Sequence, residues 1–378
     1  MNQPNLPTSL SVPIEFLSAS FGRVTNSYKF YWFWAILDHL QETQSPTVAI
    51  DELVARMLAG VWYPTNYFLL SFGKQDRLSE IASHLKAQQD LGKDAKRQEV
   101  ASAVLAELAN NSDLARQINS LSRYVPTRFL RPFFTQQLRG QPDWKVDEQI
   151  VALAEQTFTD ETTPPIYRFI GDKGQTIEIH PAWFEYLQTH AAIVTGFCLW
   201  HLLNYLQRNN PNIPNIAGKL FEPEQRDLST CRRYWRQAFT QLGRVRCIYS
   251  GIEMEQSAFS LDHFLPWRFV THDLLWNIIP TPLTINATKS DQLPDWGLYF
   301  EPFARLQYTA FQAVATTETM TIRKRDRLLE DYLPLFNQSS IQTIAALPFP
   351  DFRQTLNNTL APQIQIARNM GFLSDWRY

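Results

Sequence analysis

Apolar positions along this chain fall mainly in helical runs. "SYKFYWFWAILDHLQE" (Ser27–Glu42) opens on a serine suited to capping and is apolar nearly all round, which predicts a central, buried helix. "DELVARMLAGVWYP" (Asp51–Pro64) predicts a shorter amphipathic helix stopped by its proline. Good helix formers fill most of Arg77–Asn111. "RYVPTRFLRPFF" (Arg123–Phe134), with its arginines, aromatics and prolines, reads as an ordered connector. The period changes in "PIYRFIGDKGQTIEIHP" (Pro165–Pro181), where two alternating runs around Gly-Asp-Lys-Gly predict a hairpin. Helices resume over Ala182–Asn210 and over Glu222–Gly243, the latter closed by glycine. Another helical stretch, in one or two pieces, covers Phe303–Leu333.

Between the last two helical blocks lies a compact segment with a different pattern. "VRCIYSG" and "SLDHFLPW" read as short strands, "IEMEQSAF" between them as a hairpin loop, and "TPLTINATKSDQLP" as a short helix ended by Pro294. This strand–strand–helix order carries Asp262 and His263 on its second strand and Asn286 on its helix, with Asn277 between, all in apolar surroundings. Burying an unpartnered amide costs about 1–3 kcal/mol, so paired asparagines near an Asp-His dipeptide indicate a polar site held rigid by its neighbours. A chain of 378 residues exceeds one core, and the expected division is a helical region 1–240, a small module 241–298 and a helical region 299–378 packing on it. The expected fold is mostly α, with a small ββα module inserted between helical regions and a minor hairpin at 165–181.

Composition narrows the classes. With 44% hydrophobic and 13% aromatic residues the chain can bury a large core, which excludes disorder. A net charge of −2 gives no global attraction to nucleic acid or membrane, so any such affinity comes from local patches. Three scattered cysteines, Cys198, Cys231 and Cys247, form no disulfide framework and suit a reducing cytoplasm. "MNQPNLPTSLSVPIEF" lacks the charged and apolar regions of a secretory signal. The most apolar run, Ala191–Leu203, is too short to span a bilayer, so a soluble cytoplasmic protein without membrane contact is expected.

Asp262-His263, Asn277 after thirteen intervening residues and Asn286 after eight more, with "PW" after the histidine and "NATKSDQLP" around the last asparagine, give the stretch Arg244–Asp295 its family likeness. It resembles the HNH endonuclease module, the ββα-metal fold. The full chain looks like bacterial proteins that carry such a module near the C-terminal end. The resemblance implies hydrolysis of phosphodiester bonds with a single divalent metal, Mg²⁺ or Mn²⁺. It implies His263 as general base, Asp262 and Asn286 as metal ligands, and Asn277 in a supporting catalytic role, orienting the loop or the histidine. The chemistry suits those residue types. Histidine accepts a proton at neutral pH, and Mg²⁺ keeps several waters, so two protein oxygens suffice. Asp262 and His263 point to opposite faces of a regular strand, so both can serve only if the strand bends or ends there, which Pro266 makes plausible. One departure stands out. Many such modules hold a structural zinc on two cysteine pairs, but here Cys247 faces Ser250 at the partner position and no second pair follows, so no structural zinc is expected. Trp267, Trp276 and Trp296 are then the expected anchors.

Basic residues cluster ahead of the module. "CRRYWRQAFTQLGRVR" contains Arg232, Arg233, Arg236, Arg244 and Arg246 and no acidic residue, and these, with Lys289 one turn after Asn286, are the candidate nucleic-acid contacts. A second cluster, Arg323, Lys324, Arg325 and Arg327, is mixed with Asp326 and Glu330 and reads as a solvated face. His39, His84, His180, His190 and His201 read as structural, and His272 as structural or DNA-facing. No phosphate-binding loop of the ATPase type occurs. The reading is therefore a metal-dependent endonuclease that nicks DNA as a monomer, with bacterial defence or restriction as its setting. RNA as substrate, an idle module in a partner complex, a homodimer and a ligand-sensing N-terminal region stand as alternatives.

Overall fold

A computed structural model describes residues 5–22, 24–172, 174–223 and 225–378. Lys173 in the predicted hairpin turn, Glu224 in the predicted Glu222–Gly243 helix and the first four residues of the chain lie outside the described residues. The architecture is mostly helical with small antiparallel sheets. It divides into two compact units, Met1–Pro211 with Ile216–Glu222, and Asn212–Asn215 with Pro223–Tyr378. No helix among the described residues is long and apolar enough to cross a membrane.

In the first unit the apolar run after Ser27 forms the helix Tyr28–Thr43, whose residues Phe30 to Leu37 are all buried. Ser27 does not cap it through its side chain. Its backbone N–H donates to Asp76 instead, and that carboxylate also accepts from Leu78 N and Tyr205 Oη. The next helix, Ile50–Trp62, is not ended by Pro64 but passes into a π-helical turn, Tyr63–Tyr67, which absorbs the proline. Arg123–Phe134 proves helical rather than a connector. The helix Asp113–Leu130 runs through Pro126, and the proline's carbonyl accepts from Tyr167 Oη at 2.7 Å. The expected hairpin is present as β2 (Tyr167–Ile170) and β3 (Thr176–Ile179), joined by β1 (Thr47–Ala49) in the order β1-β3-β2. The predicted helix Ala182–Asn210 breaks at His190 into Pro181–Thr189 and Ala191–Asn209.

In the second unit the helix Ser229–Leu242 buries Cys231, Tyr234, Trp235, Ala238 and Phe239, a spacing that leaves Arg233 and Arg236 on the exposed side. The helices Trp296–Ala315 and Phe349–Asn369 complete the scaffold. The strand pairing differs from expectation. The run at 245–251 pairs for two residues only, β4 (Val245–Arg246) with β5 (Glu253–Met254), because Gly251 at φ 72° turns the chain straight back. The Asp-His strand, β6 (Ser260–His263), pairs instead with β7 (Ile278–Thr281), a fully buried run that follows it. Asp262 and His263 thus lie on the first strand of the hairpin that leads into the helix Leu283–Lys289.

The polar backbone of β7 is held by side chains of the scaffold. Gln307, fully buried, donates to Leu275 O and Ile278 O and accepts from Tyr332 Oη at 2.7 Å. Trp235 Nε1 donates to Ile278 O at 3.1 Å. Both the nitrogen and the oxygen of the Gln307 amide are therefore used, as burial demands.

Candidate active site

β6 ends at His263, and Pro266 opens a single helical turn, Trp267–Val270. The residues around that ending form two groups. On one side, the helix Leu283–Lys289 lies against β6, and the carboxylate of Asp262 is buried beneath it. Lys289, 0% exposed, donates from Nζ to Asp262 Oδ1 at 3.0 Å and to His263 O at 2.7 Å. Tyr249 Oη donates to Asp262 Oδ2 at 2.9 Å. Burial, and then the Asp262 charge, push the Tyr249 hydroxyl well above its ordinary range, so it stays a donor. Lys289, expected to reach a phosphate, is thus turned inward as the counter-charge of Asp262.

Asn286 sits one turn before Lys289 on the same helix. Its amide nitrogen donates to Ser260 Oγ at 2.8 Å and to Leu261 O at 3.0 Å. With the nitrogen anchored twice, the amide oxygen receives no donor from the described residues. Asp262 has one donor on each oxygen, whereas a carboxylate accepts about four. This donor set, one carboxylate and one oriented amide oxygen, fits a hard divalent cation that keeps most of its waters. It does not fit a fully protein-caged ion. Among the described residues no group of three or more His, Cys, Asp or Glu is arranged to hold a metal.

On the other side, His263 points to the loop that returns toward β7. Its Nε2 meets Asp273 Oδ1 at 2.7 Å. A carboxylate accepts only, so Nε2 carries the hydrogen and the lone pair is left at Nδ1. The loop itself is fixed at several points. Cys231 Sγ donates to Asp273 O, Leu275 N donates to Asp331 Oδ2 at 2.9 Å, and Asn215 Nδ2 donates to Thr271 O. Thr271 adopts a left-handed conformation at φ 51°. His272 stacks near Trp276 with ring centroids 5.2 Å apart and accepts from Leu274 N.

Asn277 is fully buried and clamps the chain just after His263. Its Oδ1 accepts from Leu265 N at 2.8 Å and its Nδ2 donates to Leu265 O at 2.9 Å, while its own carbonyl accepts from Phe264 N. Both side-chain hydrogen bonds go to backbone. Cys247 is buried in the β4–β5 turn, where its N–H and carbonyl pair with Ile252 and Gly251.

The candidate arginines behave unequally. Arg244 and Arg246 pair with Glu253, and Arg244 also approaches Glu255. Arg232 lies over the Phe259 ring. Arg233 and Arg236 are exposed, and no acid pairs with either among the described residues.

Tyr249, Asp273, Ser260 and Gln307 were not singled out in the sequence. Tyr249 and Asp273 have no motif of their own, and their roles arise from chain reversal at Gly251 and Thr271. The only sequence signal for Asp273 is that it is the one acid in the stretch between His263 and Asn277.

Residues 247–295 match the family model described as HNH endonuclease. Neither a curated protein nor a solved structure matches the chain. That segment contains Asp262, His263, Asn277 and Asn286, and its match to the HNH endonuclease model points to nuclease chemistry on a nucleic acid.

Proposed function

We propose that the module is a divalent-metal-dependent endonuclease that hydrolyses phosphodiester bonds of DNA, and that one chain, with one site, cuts one strand. The observation that carries this reading is the pair of arrangements at the end of β6. His263 has its Nε2 occupied by Asp273 and a free lone pair at Nδ1, and Asn286 has its amide oxygen turned away from both its anchors.

In this reading His263 Nδ1 takes the proton of the attacking water. Asp273 keeps the imidazole in the tautomer that makes this possible and fixes the ring plane. Asn277 holds the Phe264–Leu265 backbone, and so fixes where His263 leaves the strand. Asp262 and Asn286 would hold Mg²⁺ or Mn²⁺, which when bound supplies a Lewis acid that neutralises charge on the phosphate and on the leaving 3′ oxygen. Lys289 keeps Asp262 neutralised and in place.

Plasmid nicking by the full chain tests this. The expected outcome is conversion of supercoiled to open-circular DNA with Mg²⁺ or Mn²⁺, none with EDTA, and a rate lower by about 100-fold or more for His263→Ala, the lower end of what a general base contributes. Cleavage undiminished in His263→Ala would remove His263 from the chemistry. Cleavage of RNA but not DNA in a parallel assay would reassign the substrate.

A further inference from the structure

The second arginine cluster is exposed, as a solvated face is, and part of it also lines a groove. Lys324 and Arg327, on the helix Ile322–Leu328, line a groove of about 630 Å³ together with Thr230 and Arg233 of the helix Ser229–Leu242. Two sequence-distant basic clusters therefore meet at one concave surface. Glu330 is the one acid that lines it. No acid pairs with Arg233, Lys324 or Arg327 among the described residues, and all three are exposed. Some exposed arginines elsewhere are matched, Arg116 with Asp113, Arg305 with Glu301 and Arg377 with Asp295, while Arg123, Arg139 and Arg236 stand singly among the described residues and are not gathered in this groove. Three cations beside one acid leave the groove net positive, and a polyanion relieves the remaining repulsion.

Two residues that line the groove adjoin, in the chain, the supports of the His263 loop. Cys231, next to Thr230, donates to Asp273 O, and Asp331, next to Glu330, accepts from Leu275 N. The walls of the groove and the anchors of the loop are thus neighbouring residues in the chain.

We propose that this groove, centred on Arg233, Lys324 and Arg327, is a subsite for the sugar-phosphate backbone of DNA beside the His263 loop. It lies outside the segment that matches the HNH family and rests on the nuclease reading above. Its cations fix the position of the nucleic acid without reading bases, because they are point and fork charges on a surface, not side chains inserted into a base groove.

The test uses the full chain with Arg233→Gln, Lys324→Gln and Arg327→Gln combined. A control carries the same charge loss at Arg116, Arg305 and Arg377, all already paired. Binding to a fluorescent 20-mer DNA duplex and a matched RNA duplex is followed by anisotropy from about 50 to 200 mM salt, and melting temperature reports folding. Each phosphate that a cation no longer neutralises makes the salt slope shallower by about 0.9, so the groove variant is expected to fall short of wild type by about 2.7. Binding at low salt weakens about 10-fold or more, and nicking shows a raised KM with kcat kept within about 3-fold. The control keeps the wild-type slope. An unchanged slope and KM in the groove variant overturns the proposal while leaving the nuclease reading intact. A changed slope in a chain that cuts nothing keeps the groove and removes the nuclease. A slope change confined to the RNA duplex overturns the assignment to DNA, and equal loss in groove variant and control overturns the groove as a specific subsite.

Discussion

Replacing Asp273 by alanine removes the acceptor from His263 Nε2 and releases the imidazole to rotate or to take the other tautomer. The expected effect is a kcat about 10- to 100-fold lower with KM little changed, the range typical of partners that orient a functional histidine. Asp273→Asn should retain more activity than Asp273→Ala, because an amide oxygen still accepts from Nε2–H. A purely structural role would instead lower the melting temperature of both variants and spare kcat. Asn286→Ala removes an oxygen with no protein donor together with the two hydrogen bonds from its amide nitrogen, so it should raise the Mg²⁺ concentration for half-maximal nicking about 10-fold or more and cost about 1–2 kcal/mol of stability. Asn277→Ala acts through stability alone, because both its side-chain bonds go to backbone. It strips both hydrogen bonds from the buried Leu265 peptide groups, a destabilisation of about 2–4 kcal/mol read in denaturant unfolding.

At the scale of elements, the hydrophobic period exposed most helices and one hairpin, but partnerships between elements were less legible. The run Phe30 to Leu37, apolar on all sides, could only be a buried helix, and it is. Pro64 reads as a stop and the stretch around Pro126 as a connector, yet a π-turn and a long helix absorb the two prolines because the flanking residues are buried enough to outweigh a missing hydrogen bond. The Asp-His run was legible as a short strand. Its partner was not, since Ile278–Thr281 is apolar over most of its length and short apolar runs fit strand or helix equally. The motif spacing brought Asp262, His263, Asn277 and Asn286 to attention as one set. It carried no information about Tyr249 or Asp273, which meet that set only after the chain doubles back. Gln307 shows the same limit across a longer distance. Gln307→Leu, which leaves two carbonyls and the Tyr332 hydroxyl short of a partner, is expected to destabilise the second unit by about 1–3 kcal/mol in thermal or urea unfolding.

At the scale of the whole molecule, the described cysteines are all buried and free, so stability rests on packing and electrostatics, not on cross-links. Lys219 adds a pH dependence. It is fully buried, and burial pulls its ammonium down to about 7 from 10.5. Between those values the unfolded chain binds the proton that the folded chain has released, so folding stability rises with pH through that window and is flat below it. Burial also lowers Lys29 to about 8, which acts in the same direction at higher pH. Calorimetry from about pH 7 to about pH 9 should show a melting temperature that climbs in the wild type. The climb should be smaller in Lys219→Met, which also begins from a higher value at neutral pH.

The closed pair of Asp262 and Lys289 has one more consequence. An isolated carboxylate buried this deeply would be costly without a cation beside it, and here the chain carries its own. The native state therefore does not depend on divalent ions, unlike small domains that fold only around their metal. Melting curves in EDTA and in millimolar Mg²⁺ should agree to within about 2 °C, since a weakly held ligand shifts stability only by mass action. Newly made chains would then reach their final form without drawing on the ionic pool, and, on the nuclease reading proposed above, cutting capacity would follow free divalent cation, withdrawn and restored on the same molecule.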